Sequence, residues 1–458
     1  PALSYCAPLF KKKFSLTKFI AIRFCNDFNK YDYLWDSVIY FNKDTLDLNL
    51  DKFITEENFS SCIFLSWKNS ENIFIDESQK FWSMLKNYIQ IKHDIVNTKN
   101  YFSERWLKNS LNNSMYLKNI ATLDFGNTPV IIVASGTSLK NCIDKIKQHR
   151  NEFFLICVSS ALNVLIYNNI VPDLCISTDG GFWAKKHLEN FNKTIIKKIP
   201  FAIPLEANVP FEIFNNNIIV PLDYNDSFSS LIVKSLKIKA LNAVRNGTVS
   251  GTAVDFALSI TNGLIGIIGL DLCNSKTYSH TQPNALEKIN SQKDYKINPL
   301  CNRLYKSEIN NSSLNIYSQW FNKQDRFKDR VFRIFENEKP ETEIKTMDII
   351  DFKTFILKSK SNKNFSKKNI KLILSENKND TNNEKQLFKI LTDLKNKIEK
   401  LYNYAQIQND SYLFSFLDCS SSGELMLYKK YETDEYLNKL KKKSLTLINK
   451  YIYRLKEI

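Results

Sequence analysis

Residues 130–141 read VIIVASGTSLKN, and this stretch decides the fold. Five apolar residues are followed by a turn of small residues and then by a helical pattern from Lys140 to Arg150. An unbroken apolar run of this length is typical of a strand that is buried on both faces of a sheet. The stretch therefore predicts the first strand–turn–helix unit of a parallel α/β sheet.

Further apolar runs follow along the chain, and helical patterns lie between several of them. The runs occupy residues 153–158, 174–177, 201–205, 218–222 and 264–270. Strands that alternate with helices and connect by right-handed crossovers predict a Rossmann-like domain with a mostly parallel sheet. Nine of the ten glycines lie between Gly126 and Gly269, so the tight turns are concentrated in this central region.

The regions on either side are poor in glycine and rich in Lys, Asn and aromatic residues. We predict a small N-terminal α/β domain over residues 1–95, a Rossmann-like domain over 96–330 and a mainly helical C-terminal domain over 331–458. Strands are predicted at 19–24, 37–41 and 61–66, helices at 78–93 and 102–116, and polar loops at 359–370 and 376–384. Two apolar stripes at helical spacing predict a pair of packed C-terminal helices, with a homo-oligomer contact as the alternative. The stripes are Leu387, Leu391, Leu394, Ile398 and Leu401, and Leu437, Leu440, Leu447, Tyr451 and Leu455.

The chain is basic, with 64 Lys and Arg against 48 Asp and Glu, a net charge of +16. A positive charge of this size is compatible with binding an anionic substrate, a nucleic acid or a membrane surface. The lysines are not confined to one region, however, which is typical of a general compositional bias. Nine single cysteines without a CxxC pair favour a reduced cytoplasmic protein over a disulfide scaffold. Four polar residues interrupt the apolar stretch 257–273, which is therefore a poor membrane span. The basic cluster near the N-terminus follows the apolar residues, the reverse of a secretory signal.

In an open parallel sheet, ligands bind outside the carboxyl ends of the strands, so the residues that follow each strand are the candidates for a site. Glycines, hydroxyl side chains and an aspartate recur at these positions and predict a pocket for a nucleotide or a sugar. The alternative is that each of them only caps a turn or a helix. The candidates are Ser135, Gly136, Thr137, Ser138, Ser159, Ser160, Asp179, Gly180, Asn246, Gly247, Thr248, Ser250, Gly251 and Thr252.

Two further residues are candidates for catalysis. His280 follows a strand end in a polar loop, whereas His93, His149 and His187 lie on charged helical patterns and are predicted at the surface. Asp271 directly follows the last central strand, where it either orients His280, binds the donor or forms part of a turn. HExxH, GxxxxGK[ST], GxGxxG and GxSxG are absent, which argues against a zinc site, a P-loop kinase, a standard dinucleotide enzyme and a serine hydrolase.

Taken together, five stretches resemble one family. They are RWLKNSLNNSMYL (105–117), TPVIIVASGTSLKN (128–141), CVSSALNVLIYNNIVPDLCISTDGG (157–181), NGTVSGTAVDFALSITNGLIGIIGLDL (246–272) and YSHTQPNA (278–285). Their order and spacing resemble the motility-associated factor (Maf) flagellin glycosyltransferases, whose central domain is shared with the MptE-like hydroxymethylpterin pyrophosphokinases. The first loop of the family carries a proline where this chain has Thr137. More remotely, the same pattern is similar to bacterial sialyltransferases of Rossmann-like fold.

The resemblance implies inverting, metal-independent transfer of a nonulosonic sugar, such as pseudaminic or legionaminic acid, from its CMP form to Ser or Thr of flagellin. It implies that His280 is the general base, that the glycine loops hold the sugar nucleotide, and that no cofactor is needed beyond this donor. It also implies a role in flagellum assembly and motility. Two alternatives remain open. One is an ATP-dependent pterin pyrophosphokinase in which Asp179 and Asp271 hold Mg²⁺, and the other is a flagellin-binding chaperone without activity.

Overall fold

We describe the protein from a computed structural model. The structure describes residues 3–55, 58–189, 193–272, 278–302, 312–337, 344–361, 370–374 and 383–457. The chain divides into two compact units, Pro1–Tyr101 and Phe102–Ile458. In the described ranges, no helix combines the length and the apolar character that crossing a membrane requires.

The first unit is built on two parallel strands, β1 (Ile20–Arg23) and β2 (Ser37–Tyr40). Its helices are α1 (Cys6–Lys13), α2 (Leu46–Asp51), α3 (Lys68–Ile73) and the first part of α4 (Ile75–Tyr116). The two predicted helices at 78–93 and 102–116 are thus one helix, because neither Gly nor Pro interrupts the residues between them. The predicted strand at 61–66 is not formed, and two of its apolar side chains, Ile63 and Leu65, are exposed.

A nine-stranded parallel sheet forms the centre of the second unit. The strand order is β12-β11-β10-β4-β5-β6-β7-β8-β9, and a separate antiparallel pair joins β13 to β3. The bounds are β3 (Ala121–Leu123), β4 (Val130–Val133), β5 (Phe154–Val158), β6 (Leu174–Ile176), β7 (Phe201–Pro204), β8 (Ile219–Asp223), β9 (Leu241–Asn242), β10 (Ile265–Ile268), β11 (Val331–Ile334), β12 (Ile349–Ile350) and β13 (Leu372–Leu374).

The six apolar runs of the sequence are β4 to β8 and β10, and their residues are almost all buried. This confirms the predicted α/β class and the parallel sheet. Strands β11 and β12 were not predicted, because β11 contains Arg333 and β12 is two residues long. They pair beside β10, so the sheet continues past residue 330, where the sequence predicted a domain boundary.

Helices cover the sheet and connect its strands. They are α5 (Leu139–Gln148), α6 (Leu162–Tyr167), α7 (Phe182–His187), α8 (Lys193–Ile196), α9 (Phe211–Asn216), α10 (Phe228–Ser235), α11 (Val249–Ile260), α12 (Ala285–Ser291), α13 (Ser312–Asn322) and α14 (Phe352–Ser361). The longest of the crossover helices, α11, packs on β4, β5 and β10. Because α11 leads from β9 back to β10, its N-terminus lies at the carboxyl edge of the sheet.

The C-terminal part of the second unit is helical, as predicted. It comprises α15 (Asn383–Glu399), α16 (Tyr404–Gln408), α17 (Ser411–Tyr431) and α18 (Asp434–Glu457). The first predicted stripe is buried, on α15 except for Leu401, which follows that helix, and most of the second is buried on α18. The sequence did not predict α17, which packs between the other helices and the sheet domain: Tyr412 and Phe416 lie 5.3 Å, ring centre to ring centre, from Phe228 of α10.

Candidate active site

The strand order fixes where a ligand can enter the sheet. Strands β4 and β10 are neighbours, but the chain leaves β4 towards β5 on one side and leaves β10 towards β11 on the other. The loops after β4 and β10 therefore lie where the strand order switches direction, the position at which open parallel sheets bind ligands, and we call this position the crevice. Two loops meet here, residues 135–138 after β4 and residues 269–271 after β10.

These two loops are in direct contact through their backbones. The N–H of Gly136 donates to the carbonyl of Gly269 at 2.9 Å. A Cβ atom on Gly136 would lie 2.5 Å from that carbonyl oxygen, closer than Cβ atoms come to non-bonded atoms in proteins, so the position requires glycine. Gly269 has φ of +73°, which also favours glycine. Both loops thus have a glycine where their two backbone segments approach each other closely.

Asp271 holds the start of helix α5. Its Oδ2 accepts a hydrogen bond from the Ser138 N–H at 2.9 Å and one from the Thr137 hydroxyl at 3.3 Å. Its Oδ1 accepts one from the Ser138 hydroxyl at 2.5 Å. The Thr137 N–H, by contrast, donates to no acceptor in the described residues.

Two further segments join this loop. Ser160, after β5, donates from its hydroxyl to the Ser135 hydroxyl at 2.9 Å. The segment after β10 returns across the turn, because Thr281 donates from its N–H to the Ser135 carbonyl at 2.8 Å and from its hydroxyl to the Gly136 carbonyl at 2.5 Å. Asn284 donates to the Ser160 carbonyl at 3.1 Å. The structure therefore brings Ser135–Ser138, Ser159–Ser160 and Asp271 together, with His280 directly before Thr281.

His280 lies beside a carboxylate that the sequence did not single out. Glu287, on α12, accepts a hydrogen bond from the His280 N–H at 3.2 Å, and its Oε1 lies 3.6 Å from the His280 Nδ1. The Glu287 side chain is 3% exposed, whereas that of His280 is 28% exposed. The carboxylate beside His280 is thus Glu287 and not Asp271, which binds residues 137 and 138, and the buried Nδ1 of His280 forms no hydrogen bond within the described residues.

The prediction of a surface position for His187 was wrong. His187 is buried, because α7 packs against α12 and places this last residue of the helix on the packed side. Its Nδ1 has no hydrogen-bond partner among the described residues. Burial, with a smaller repulsion from His280, lowers the pKa of His187 to about 4. His93 is exposed as predicted, and the His149 side chain is only 22% exposed, with its Nδ1 2.8 Å from Glu152.

The turn after β6 lies further along the carboxyl edge. Asp179 accepts a hydrogen bond from the Gly181 N–H at 2.8 Å, and its carbonyl accepts one from the Asn208 N–H at 2.9 Å. A Cβ atom on Gly180 would lie 2.5 Å from the Trp106 ring. The contacts of Asp179 and Gly180 are those of a tight turn packed under an aromatic side chain.

The loop 246–252 has the contacts of a helix cap. The Thr248 hydroxyl accepts from the Gly251 N–H at 2.9 Å, the Asn246 amide donates to Asp255 at 2.6 Å, and the Thr252 hydroxyl donates to the Val244 carbonyl at 3.2 Å. A Cβ atom on Gly247 would lie 3.1 Å from Tyr317. Ser250 is the second residue of α11. The loop lies at the same edge of the sheet as the other candidates, but within the described part of the chain it forms no hydrogen bond with residues 135–138.

A second cluster, which we call the Arg245 cluster, was not predicted. It comprises Trp106, Glu206, Tyr224, Asp226 and Arg245. Arg245 donates from Nη2 to Glu206 at 2.5 Å, and from Nε and Nη2 to the two oxygens of Asp226 at 2.8 and 3.0 Å. Its guanidinium carbon lies 4.5 Å from the Trp106 ring centre and 4.2 Å from that of Tyr224. Tyr224 directly follows β8 and Glu206 lies two positions after β7, so extending the strand-end rule to these strands would have found them.

Residues 99–277 match the family model described as 6-hydroxymethylpterin diphosphokinase MptE-like. The central part of this chain is thus similar to the MptE-like family. The match covers β3 to β10 and both loops of the crevice, and it confirms the MptE-like part of the predicted resemblance.

Two proteins of Treponema pallidum (strain Nichols), both described as uncharacterized, are similar to this chain. One is 29% identical over 314 residues, which are 68% of this chain and 69% of that protein. The other is 28% identical over 133 residues, 28% of this chain and 60% of that protein. A solved structure of the MAf glycosyltransferase from Magnetospirillum magneticum AMB-1 has the same fold. It aligns with 99% of this chain and 78% of its own at a TM-score of 0.52 and 12% identity. The likeness in fold thus extends beyond residues 99–277 to both flanking regions.

Proposed function

We propose that this protein is a glycosyltransferase that moves a nonulosonic sugar from its CMP form to Ser or Thr of flagellin in the cytoplasm. The fold that it shares with a MAf glycosyltransferase over nearly its whole length supports transfer of a sugar. The CMP donor and the flagellin acceptor come from the resemblance of the crevice motifs to the Maf family.

One observation carries the proposal: a histidine with an adjacent carboxylate stands beside the turn that a nucleotide would occupy. Because Glu287 lies against Nδ1 of His280, the other ring nitrogen, Nε2, is the one available to the substrate. Nε2 accepts the proton from the acceptor hydroxyl as its oxygen bonds to the anomeric carbon. The bond from that carbon to the phosphate oxygen breaks, and CMP leaves with the electron pair. Attack from the opposite face inverts the anomeric configuration.

The crevice suits an anionic leaving group. The Thr137 N–H is unused by the described residues, and Ser135 of the same turn accepts a hydrogen bond on its hydroxyl from the Ser160 hydroxyl. Donors of this kind stabilise charge that develops on a departing phosphate, and the net charge of +16 attracts an anionic donor. These groups act without a metal ion in the proposed reaction.

The direct test incubates the purified chain with CMP-pseudaminic acid or CMP-legionaminic acid and flagellin from a strain that lacks the glycan. We expect the intact mass of flagellin to rise by whole sugar units and CMP to appear in equal amounts. In cells, deletion of the gene should lower the mass of flagellin by whole sugar units. Flagellin of unchanged mass in both experiments would overturn the proposal.

A second candidate function, the pterin pyrophosphokinase, is favoured by the description of the matching family model. It would need two carboxylates near one Mg²⁺. Asp179 follows β6 and Asp271 follows β10, three strands apart in the sheet, or about 14 Å at the usual strand spacing. Two ligands of one ion lie much closer together, so these two residues do not fit that role.

Thermal unfolding with added nucleotides separates the two candidates. A ligand at a hundredfold excess over its Kd stabilises the folded state by about 2.7 kcal/mol. CMP and CTP should stabilise the glycosyltransferase, whereas stabilisation by ATP that depends on Mg²⁺ would support the kinase. The chaperone alternative predicts stabilisation by flagellin and by none of these nucleotides.

A further inference from the structure

The contacts of the Arg245 cluster fix the orientation of the Arg245 guanidinium group. The carboxylates of Glu206 and Asp226 fix two of its nitrogens, and the Trp106 and Tyr224 rings lie within 4.5 Å of its central carbon. The Ser227 and Ser229 hydroxyls donate to the other oxygen of Glu206, so this buried carboxylate is itself held in place. A side chain restrained in this way loses little further freedom when it binds a ligand.

One part of the guanidinium remains available. Arg245 uses Nε and Nη2 for its two carboxylate partners, and its Nη1 donates to no group in the part of the chain that the structure describes. The side chain keeps 31% of its surface exposed. Burial works against the positive charge, but the hydrogen bonds and charges of Asp226 and Glu206 raise the pKa of Arg245. Arg245 therefore presents a permanently charged donor at the carboxyl edge of the sheet.

The charge around this donor decides what it can bind. One arginine and two carboxylates carry a net charge of −1, so a phosphate or a carboxylate brought to Nη1 would be repelled by Glu206 and Asp226. A neutral oxygen, such as a sugar hydroxyl or the carbonyl of a pyrimidine, is not repelled in this way. It still receives a hydrogen bond from a charged donor, which is stronger than one from a neutral group.

The distance between the Arg245 cluster and the crevice is comparable to the length of a sugar nucleotide. Glu206 follows β7, and β7 lies three strand spacings from β4, or about 14 Å. An extended sugar nucleotide spans a distance of this order. Trp106 connects the cluster to the turn after β6, because its ring lies against Gly180, and this turn lies between the crevice and Arg245. The carboxyl edge is therefore continuous from residues 135–138 to Arg245.

We propose that Arg245 is a specificity-determining residue that donates from Nη1 to a neutral oxygen of the sugar nucleotide, on the nucleoside or on the sugar, while its phosphate lies at the crevice. Glu206 and Asp226 are positioning residues that hold the guanidinium and turn anionic groups away from it. The inference rests on the proposed function and adds a second contact region for the donor substrate.

Calorimetric titration of two ligands, CMP and CMP-pseudaminic acid, into wild type, Arg245→Met and Arg245→Lys tests this inference. We expect both variants to bind CMP-pseudaminic acid about 10- to 100-fold more weakly, since lysine keeps the charge but not the planar geometry. An equal loss for CMP places the contact on the nucleoside, and no loss for CMP places it on the sugar. The salt dependence of the affinity should match that of wild type, because the lost contact is to a neutral group.

Arg150→Met is the matched control. Arg150 pairs with Asp173 at 2.9 Å, but both residues precede their strands and lie at the opposite edge of the sheet, so this variant should bind both ligands like wild type. If Arg245→Met is unfolded in a thermal scan, the affinities of Arg245→Lys decide the test. Affinity for CMP-pseudaminic acid at the wild-type level in the Arg245 variants would overturn this inference but not the proposed function. An affinity that depends less on salt than that of wild type would also overturn it, because it indicates a lost contact with a phosphate. A wild-type chain that binds neither ligand would contradict the proposed function as well.

Discussion

Asp271 and Ser138 are joined by two hydrogen bonds, although 133 residues separate them in the chain. The backbone N–H of Ser138 donates to one oxygen of the carboxylate, and its hydroxyl donates to the other. A residue three positions after β10 thereby caps the helix that follows β4. The crevice between these strands is held together by this pair, and its geometry depends on both segments.

Replacing Asp271 by Ala should therefore affect both stability and binding. The Ser138 N–H loses a charged acceptor in a buried position, which we expect to reduce the free energy of unfolding by about 1–3 kcal/mol and to weaken CMP binding. Denaturant unfolding and calorimetry measure the two effects. Asp351→Ala is the control, because Asp351 accepts from the Thr354 N–H ahead of α14 and lies outside the crevice. CMP binding that is unchanged in Asp271→Ala would contradict this account of the crevice.

Two glycine substitutions should have opposite effects. A Cβ on Gly136 would meet the Gly269 carbonyl at 2.5 Å and the Asp271 carboxyl carbon at 2.6 Å, so Gly136→Ala should cost about 1–3 kcal/mol and impair CMP binding. Gly423 lies within α17 with no atom within 4 Å of an added Cβ, so Gly423→Ala should stabilise the protein by about 0.5–1 kcal/mol. Thermal unfolding compares them directly, and equal melting temperatures would show that the loops at residues 136 and 269 are not tightly packed.

Removing the proposed base should separate catalysis from binding. His280→Gln should lower kcat by about 10²–10⁴-fold, the usual contribution of a general base, and leave the affinity for CMP unchanged. His93→Gln, at an exposed position on α4, should behave like wild type in both assays. If His280→Gln turns over at the wild-type rate, another group accepts the proton.

The buried His187 should make stability depend on pH. Its folded pKa of about 4 lies below the ordinary value of 6.5, so the unfolded chain binds a proton more readily between these values. Titration of His187 should therefore reduce the free energy of unfolding by up to about 3 kcal/mol as the pH falls from 6.5 to 4. Urea unfolding at pH 7 and pH 5 should show a smaller loss for His187→Gln than for wild type. A parallel loss in both proteins would show that His187 titrates normally.

The sequence was sufficient to predict the sheet, because β4 to β8 and β10 are apolar throughout and the turns after them contain small residues. It was also sufficient to predict that residues 135–138, 160 and 271 meet, since that follows from the carboxyl edge of a parallel sheet. It did not reveal the Arg245 cluster, because the carboxylate partners of Arg245 are distant in sequence: Glu206 lies 39 positions and Asp226 lies 19 positions before it. Nor did it reveal the burial of His187, which depends on the packing of α7 against α12 rather than on the charges next to it in the chain.

The strand order also has a consequence for biosynthesis. The side of β4 that pairs with β10 has no partner until the ribosome has added about 135 more residues, because β10 ends at Ile268 and β4 at Val133. At ordinary translation rates of about 5–20 residues per second, this open strand edge persists for roughly 7–27 seconds on each nascent chain. An unpaired strand edge can pair with a strand of another chain, so the nascent protein is open to aggregation at this edge during that interval unless a molecular chaperone covers it.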